Sequence, residues 1–246
     1  MDDQERKDIR RARLKGADYH DQNLAGSIFE FFYLIEANFN QANLTKANIK
    51  WANLTKASFI DANLTEANFR GANLNEANLS GANIKEADFI GANLKEAIFD
   101  NTIFDRANLC FANLGWTDLH FADLGGVNLE GANLQGAILN GADFQRAFLQ
   151  RVNFKAAGLR MADLRDANLC FADFRYADLY GANLQGANLQ GAILKGTNLQ
   201  GANFKKAYNL SLSQLSEVKT LYDAELDDEL LIPLKENWPE LFEEPD

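Results

Sequence analysis

The side chains that carry covalent or metal chemistry are sparse in this chain. Histidine occurs twice, at His20 and His120, and cysteine twice, at Cys110 and Cys170. A nucleophilic Ser or Cys needs a base within hydrogen-bond reach, and a zinc-type site needs His, Cys or carboxylate ligands in a cluster. Hydrolytic acid–base work needs titratable groups converging in a pocket. Aspartate is the abundant candidate: Asp88, Asp118, Asp123, Asp143, Asp163, Asp173 and Asp178. All seven, however, stand at positions ending in 3 or 8, and both histidines and both cysteines at positions ending in 0. That spacing is the mark of a repeat rather than of a site. The glycines also recur at repeat spacing, not as a single strand-to-helix phosphate loop. The chain therefore reads as not an enzyme, with no catalytic, cofactor-binding or metal-ligating residues, and with the aspartates serving turns.

The repeat that positions these residues has a period of five. A large apolar residue falls at every position ending in 4 or 9, giving 39 consecutive centres from Leu14 to Phe204 without insertion or deletion. Two residues before each centre, from Ala37 to Ala202, stands alanine or a compact substitute (Thr102, Thr117, Val127, Val152, Thr197). The residue immediately before the centre is mostly Asn or Asp. A period of five matches neither a helix nor a long strand. It suits a very short extended piece followed by a corner, with the small and large residues pointing inward and Asn or Asp outward. Asn and Asp fit the junction because their side chains bond nearby backbone. Glycines at the second turn position, such as Gly71, Gly91 and Gly131, fit a corner that needs backbone latitude. A unit this short cannot bury its own apolar residue, so the units must wind into stacked coils, an all-β solenoid whose lumen takes one large and one small residue in turn.

The tandem A(N/D)LXX pattern, as in ANLSGANIKEADFIGANLKEA, resembles the pentapeptide-repeat family over about residues 14–206. The resemblance implies a right-handed quadrilateral β-helix with four pentapeptides, or twenty residues, per coil. At sheet spacing ten such coils would make a rod roughly 45 Å long. Cys110 and Cys170 would then lie three coils apart on one face, about 14 Å, which is too far for a disulfide; both are expected to be free thiols.

Three segments are expected: a charged N-terminal segment over 1–13, with a short helix at most; the β-helix over 14–206; and an acidic helical cap over 207–246. In the last, Ser213 and Asp227 are placed to cap helices, and the second should stop near Ile232 because Pro233 lacks an amide donor. Leu234, Trp238, Leu241 and Phe242 give this end an apolar side, suited to covering the open last coil or, alternatively, to forming a dimer. The cap carries 11 acidic and 2 basic residues, whereas residues 1–206 carry 24 and 22. The nearly neutral solenoid offers no basic footprint for nucleic acid. No stretch resembles a secretory signal or a membrane span, and the chain reads as soluble and cytoplasmic.

With a twenty-residue coil, one face and its corner collect Phe31, Trp51, Ile90, Cys110, Phe111, Phe148, Cys170 and Phe171. Two stretches echo each other, RANLCFANLGWTDLH from Arg106 and DANLCFADFRYADLY from Asp166. Phe111, Trp116, His120, Phe121, Phe171, Tyr176 and Tyr180 are the candidate protein-binding residues, since exposed aromatics mark contact surfaces. The alternative is that these rings stack on neighbouring rungs and shield backbone. Residues 14–135 carry 15 acidic and 8 basic side chains, and residues 136–206 carry 5 and 9. The basic run Arg146, Arg151, Lys155, Arg160, Arg165, Arg175 is spread over four faces.

Members of the resembled family include DNA-mimicking inhibitors or protectors of type II topoisomerases and regulators of heterocyst differentiation in cyanobacteria. A mimic about 45 Å long would need about 26 negative charges, which this solenoid lacks, and it has no projecting loops. The expectation is a non-catalytic regulatory scaffold acting through protein partners, monomeric or dimeric through its tail, without direct nucleic-acid or membrane binding. A gyrase-directed mimic and a purely structural rod are the alternatives. The dense ANLXX usage and the tail LYDAELDDELL resemble cyanobacterial members.

Overall fold

The computed structural model describes residues 14–245, so the charged segment expected over 1–13 lies outside the described residues. The chain divides into two compact units, Met1–Asp118 and Leu119–Asp246. In each, parallel bridges join residues twenty apart, such as Asn53↔Asn73 in the first and Asn153↔Asp173 in the second. The coil is therefore twenty residues long, four pentapeptides with a turn after each.

The pentapeptide Ala52–Lys56 shows why the motif is built as it is, because each of its five backbone N–H groups has a distinct acceptor. Ala52 closes the preceding turn onto Ile49 O (3.3 Å), Asn53 reaches back one coil to Phe32 O (2.8 Å), and Leu54 and Lys56 reach forward to Asn73 O (2.7 Å) and Asn75 O (2.9 Å). The remaining N–H, on Thr55, donates to the Asn53 side chain at 3.2 Å. Buried or half-buried amides must be paired, and Asn or Asp before the centre supplies the one acceptor that the coil itself does not. At two places where that residue is missing, the coil below substitutes: Asn40 accepts from Ile60 N–H, opposite Ser58, and Asn140 from Arg160 N–H, opposite Gly158.

The lumen is apolar and sorted by size. Ala52, Leu54, Ala57 and Phe59 are buried in the first unit, and Ala172, Phe174, Ala177 and Leu179 in the second. Large centres stack in columns, with Phe39 over Phe59 at 5.0 Å and Phe154 over Phe174 at 5.0 Å between ring centroids. The threonines at small positions bury their hydroxyls against carbonyls, as Thr197 does on Phe174 O at 2.8 Å.

At the C-terminal end of the second unit the register slips by two, to Asn198↔Thr220 and Asn203↔Glu225, because a short helix α1 (Leu212–Leu215) occupies a corner. Ser211, not Ser213, is its N-cap, in a reciprocal capping box with Gln214. Gln214 also donates to the carbonyls of Leu189 and Ala192, so it ties the helix to the coil. Helix α2 (Asp228–Asn237) begins after Asp227. Asp227 makes no side-chain cap there and instead accepts from Lys206 N–H at 2.8 Å. The helix does not stop at Ile232. It runs through Pro233, whose missing N–H leaves only one intrahelical bond unmade on a half-exposed segment. A 3-10 helix (Pro239–Phe242) follows, and Leu215, Leu221, Leu226, Leu234 and Leu241 are buried beneath these elements. Among the described residues no helix is long and apolar enough to cross a membrane.

Candidate protein-binding surface

The side chains of the second turn position project from the corners, and their backbone is left-handed whether or not they are glycine: Lys56 has φ 58°, Phe111 56° and Tyr176 60°. A positive φ at the third residue of the turn is the type II requirement. Backbone latitude alone therefore does not explain where glycine stands. A second cause is steric, and it acts from one coil to the next. A Cβ on Gly71 would meet the Trp51 ring at 2.2 Å, on Gly191 the Phe171 ring at 2.6 Å and on Gly196 the Tyr176 ring at 2.7 Å. Each ring lies across the glycine twenty residues ahead. Phe121 relates to Gly141 and Met161 to Gly181 in the same way. This pairing is legible when the sequence is written in rows of twenty, and single-repeat reading misses it.

In the first unit Phe111 and Trp116 occupy the two corners that bound one face, and both are more than half exposed. The outward floor between them is Asn113 and the buried Gly115, whose N–H donates to the Asn113 side chain at 3.2 Å. Cys110 beside Phe111 is buried, and neither it nor Cys170 is in a disulfide.

In the second unit Phe171 and Tyr176 bound a face in the same manner, 53% and 60% exposed, but its floor is charged. Arg175 grips Asp173 with two nitrogens, at 2.9 and 2.5 Å. That guanidinium holds the Asp173 carboxyl below its ordinary value against the upward push of burial, and the Arg175 pKa is raised in return. Asp163 is pushed up by burial but is lowered on balance by the matching grip of Arg165. The other candidates of this unit sit elsewhere on it. His120 packs edge-on to Phe121 at 5.5 Å, and Tyr180 lies under Arg160 at 4.6 Å. Phe121 is 78% exposed even though its ring covers Gly141. The basic run reads differently once placed: Arg165, Arg160 and Arg151 each pair with a carboxylate. Lys195, outside that run, instead shares a column with Lys155 and Arg175.

Among the described residues no group of three or more His, Cys, Asp or Glu side chains is placed to hold a metal ion. A surface cavity of about 330 Å³ lies on the first unit, lined by Lys15, Tyr33, Ile35 and Asn53.

Twenty-residue coils of A(N/D)LXX units with a buried Ala–Leu pair define a pentapeptide solenoid. The chain belongs to the pentapeptide-repeat family, whose profile matches in eight copies over overlapping stretches from residue 23 to residue 219. Among solved structures it is similar to HetL, a pentapeptide repeat protein involved in heterocyst differentiation regulation from the cyanobacterium Nostoc sp. strain PCC 7120. That match has 28% identity over 91% of this chain and 92% of the other, with a TM-score of 0.46. It is also similar to QnrB1, a plasmid-mediated fluoroquinolone resistance protein, with 18% identity over 77% and 95% and a TM-score of 0.44. A third similar structure is the pentapeptide repeat protein Rfr23 from the cyanobacterium Cyanothece 51142, with 23% identity over 87% and 95% and a TM-score of 0.14. No curated protein matches the chain significantly, and no catalytic family is indicated.

Proposed function

We infer that this protein is a non-catalytic regulatory scaffold that works by holding other proteins. Residues 14–206 form its right-handed quadrilateral β-helix and 207–246 the cap. The observation that carries this reading is the set of rings at the corners. Phe111, Trp116, Phe171 and Tyr176 each stay more than half exposed, although a smaller residue would serve the left-handed corner equally well. Exposed Trp, Tyr and Phe in preformed positions suit protein contacts. His120, Phe121 and Tyr180 extend the candidate surface of the second unit. A cytoplasmic setting and a role in cyanobacterial differentiation, such as heterocyst regulation, go with the resemblance of the repeats and the LYDAELDDELL tail to cyanobacterial members.

The gyrase-mimic reading draws on the acidic balance of residues 14–135. Against it, the acids there alternate with bases along the corners, as in Lys46–Glu66, Lys56–Glu76 and Arg106–Glu86. A phosphate-like track would be unbroken.

The test is capture of host proteins on the immobilised full chain, compared with the variant Phe111→Ser/Trp116→Ser/Phe171→Ser/Tyr176→Ser checked for an unchanged circular-dichroism spectrum. Specific partners retained by the parent and lost by the variant are expected. An identical set on both sinks the aromatic surface, and inhibition of gyrase supercoiling by the parent would favour the mimic.

A further inference from the structure

One outer face of the second unit gathers cations. The bridges Asn153↔Asp173↔Ile193 put Lys155, Arg175 and Lys195, each two residues further on, on successive rungs of one column. Backbone bonds from Ala156 N–H to Arg175 O (2.9 Å) and from Tyr176 N–H to Lys195 O (3.1 Å) fix those rungs, at the roughly 4.8 Å spacing of paired strands. The corresponding positions of the first unit read Lys15, Ile35, Thr55, Asn75, Lys95 and Gly115, with no adjacent cations. Among the described residues, the ion pairs of the second unit engage Arg151, Arg160, Arg165, Arg175 and Lys205, and leave out Lys155 and Lys195. Asp173 lies on this floor and Arg175 already holds it, while Glu217 of the cap occupies the rung beyond Lys195.

The edges of the same face are apolar. Phe171 lies over Gly191 along one corner and Tyr176 over Gly196 along the other, so the two rings edge the face as rails. Ile193 is 43% exposed between them. Cations stacked at rung spacing repel one another in the free protein, and an anion laid along the column relieves that repulsion.

We propose that this face docks a short acidic segment of a partner protein, with carboxylates on Lys155, Arg175 and Lys195 and an apolar side chain between Phe171 and Tyr176. An extended segment presents alternate side chains on one side about 7 Å apart, within reach of flexible lysines on adjacent rungs. The ligand is short because the acidic cap, with 11 acidic and 2 basic residues, follows directly: Gly196 N–H donates to Glu217 O on the next rung. A long polyanion such as nucleic acid would run into that charge.

The inference rests on the protein-binding reading but fails separately from it, because host partners could be retained by the rings without any acidic segment. The probe is a fluorescein-labelled decapeptide of alternating Glu and Tyr, followed by fluorescence anisotropy on the full chain. Lys155→Glu/Lys195→Glu is expected to weaken binding at least tenfold and Tyr176→Ser about fivefold. Arg146→Glu/Lys206→Glu, with the same charge change at other corners, is expected to leave it within twofold. Equal losses in the two charge-reversal pairs, or no measurable binding by the parent, overturn the proposal. So does tighter binding of a twenty-nucleotide single-stranded DNA that depends on Lys155 and Lys195.

Discussion

Phe111 and Trp116 in the first unit and Phe171 and Tyr176 in the second stand on the same five-residue frame, yet the floors between them differ. Asn113 and Gly115 make one floor, Asp173 and Arg175 the other. The frame tolerates this because the residue after the centre has its N–H taken by the preceding Asn or Asp side chain, from Gly115 to Asn113 in one case and from Arg175 to Asp173 in the other. Its own side chain is then under no structural demand. The repeat thus separates construction, in the Ala–Asn–Leu triplet, from decoration, in the two turn residues.

The largest effects should come from breaking what the two regions share. Ala112→Leu and Ala172→Leu each force a branched side chain into a filled lumen behind a ring pair. Each is expected to cost about 1–3 kcal/mol by urea denaturation, since overpacking does not depend on the floor outside. A loss confined to one of them would mean that the two lumens are not equivalent.

The next effect separates steric from conformational glycine. Gly91 and Gly191 have nearly the same φ, +65° and +63°, but a Cβ meets nothing within 4 Å at Gly91 and the Phe171 ring at Gly191. Both alanine variants carry the left-handed penalty of about 1 kcal/mol. Gly191→Ala should lose roughly another 1 kcal/mol by displacing the ring, and Phe171→Ala in the same chain should erase that excess in a double-mutant cycle. An excess that survives the loss of the ring would place its cause in the backbone.

A smaller effect tests the amide accounting. Asn140→Ala removes the acceptor of Arg160 N–H across the coil and is expected to cost about 1 kcal/mol. Gly158→Asn should restore most of it by returning the side-chain acceptor to its usual place in the repeat. Added to the parent chain, Gly158→Asn should not stabilise, because Asn140 Oδ1 lies 3.2 Å from a Cβ at that position.

Much of this was legible in the residues alone. The inward Ala–Leu pair, the coil stacking and the turn role of Asn and Asp all follow from local periodicity, and periodicity is what short-range sequence shows. Three things were not. Helix α2 passes Pro233 because one lost bond at a half-exposed turn is tolerated when Leu234 is buried. Ser211 caps α1 in place of Ser213 because Gln214 is drawn to the coil carbonyls and sets the register. The charged face depends on neighbours twenty residues apart: Lys195 joins Lys155 and Arg175 only once the rungs are aligned.

The smallest effect is electrostatic and distinguishes the two floors by pH. The Arg175 fork, together with the backbone N–H of Arg175 and the nearby charge of Lys155, holds the Asp173 carboxyl below its ordinary value near 3.8. Because the folded pKa is depressed, the stabilisation is fully present above the unfolded carboxyl range, near pH 4, and is lost as the pH falls through the folded value. Asn113 offers no such group, so acid should weaken the second floor and leave the first alone. Carboxyl carbon shifts followed by NMR should show Asp173 titrating below pH 3.8, and Arg175→Gln should move it up toward the unfolded value. The accompanying change in stability at neutral pH should be small, since the guanidinium is largely in water. An Asp173 titration that ignores the loss of Arg175 would mean that the charge on this floor is set by something other than the pair.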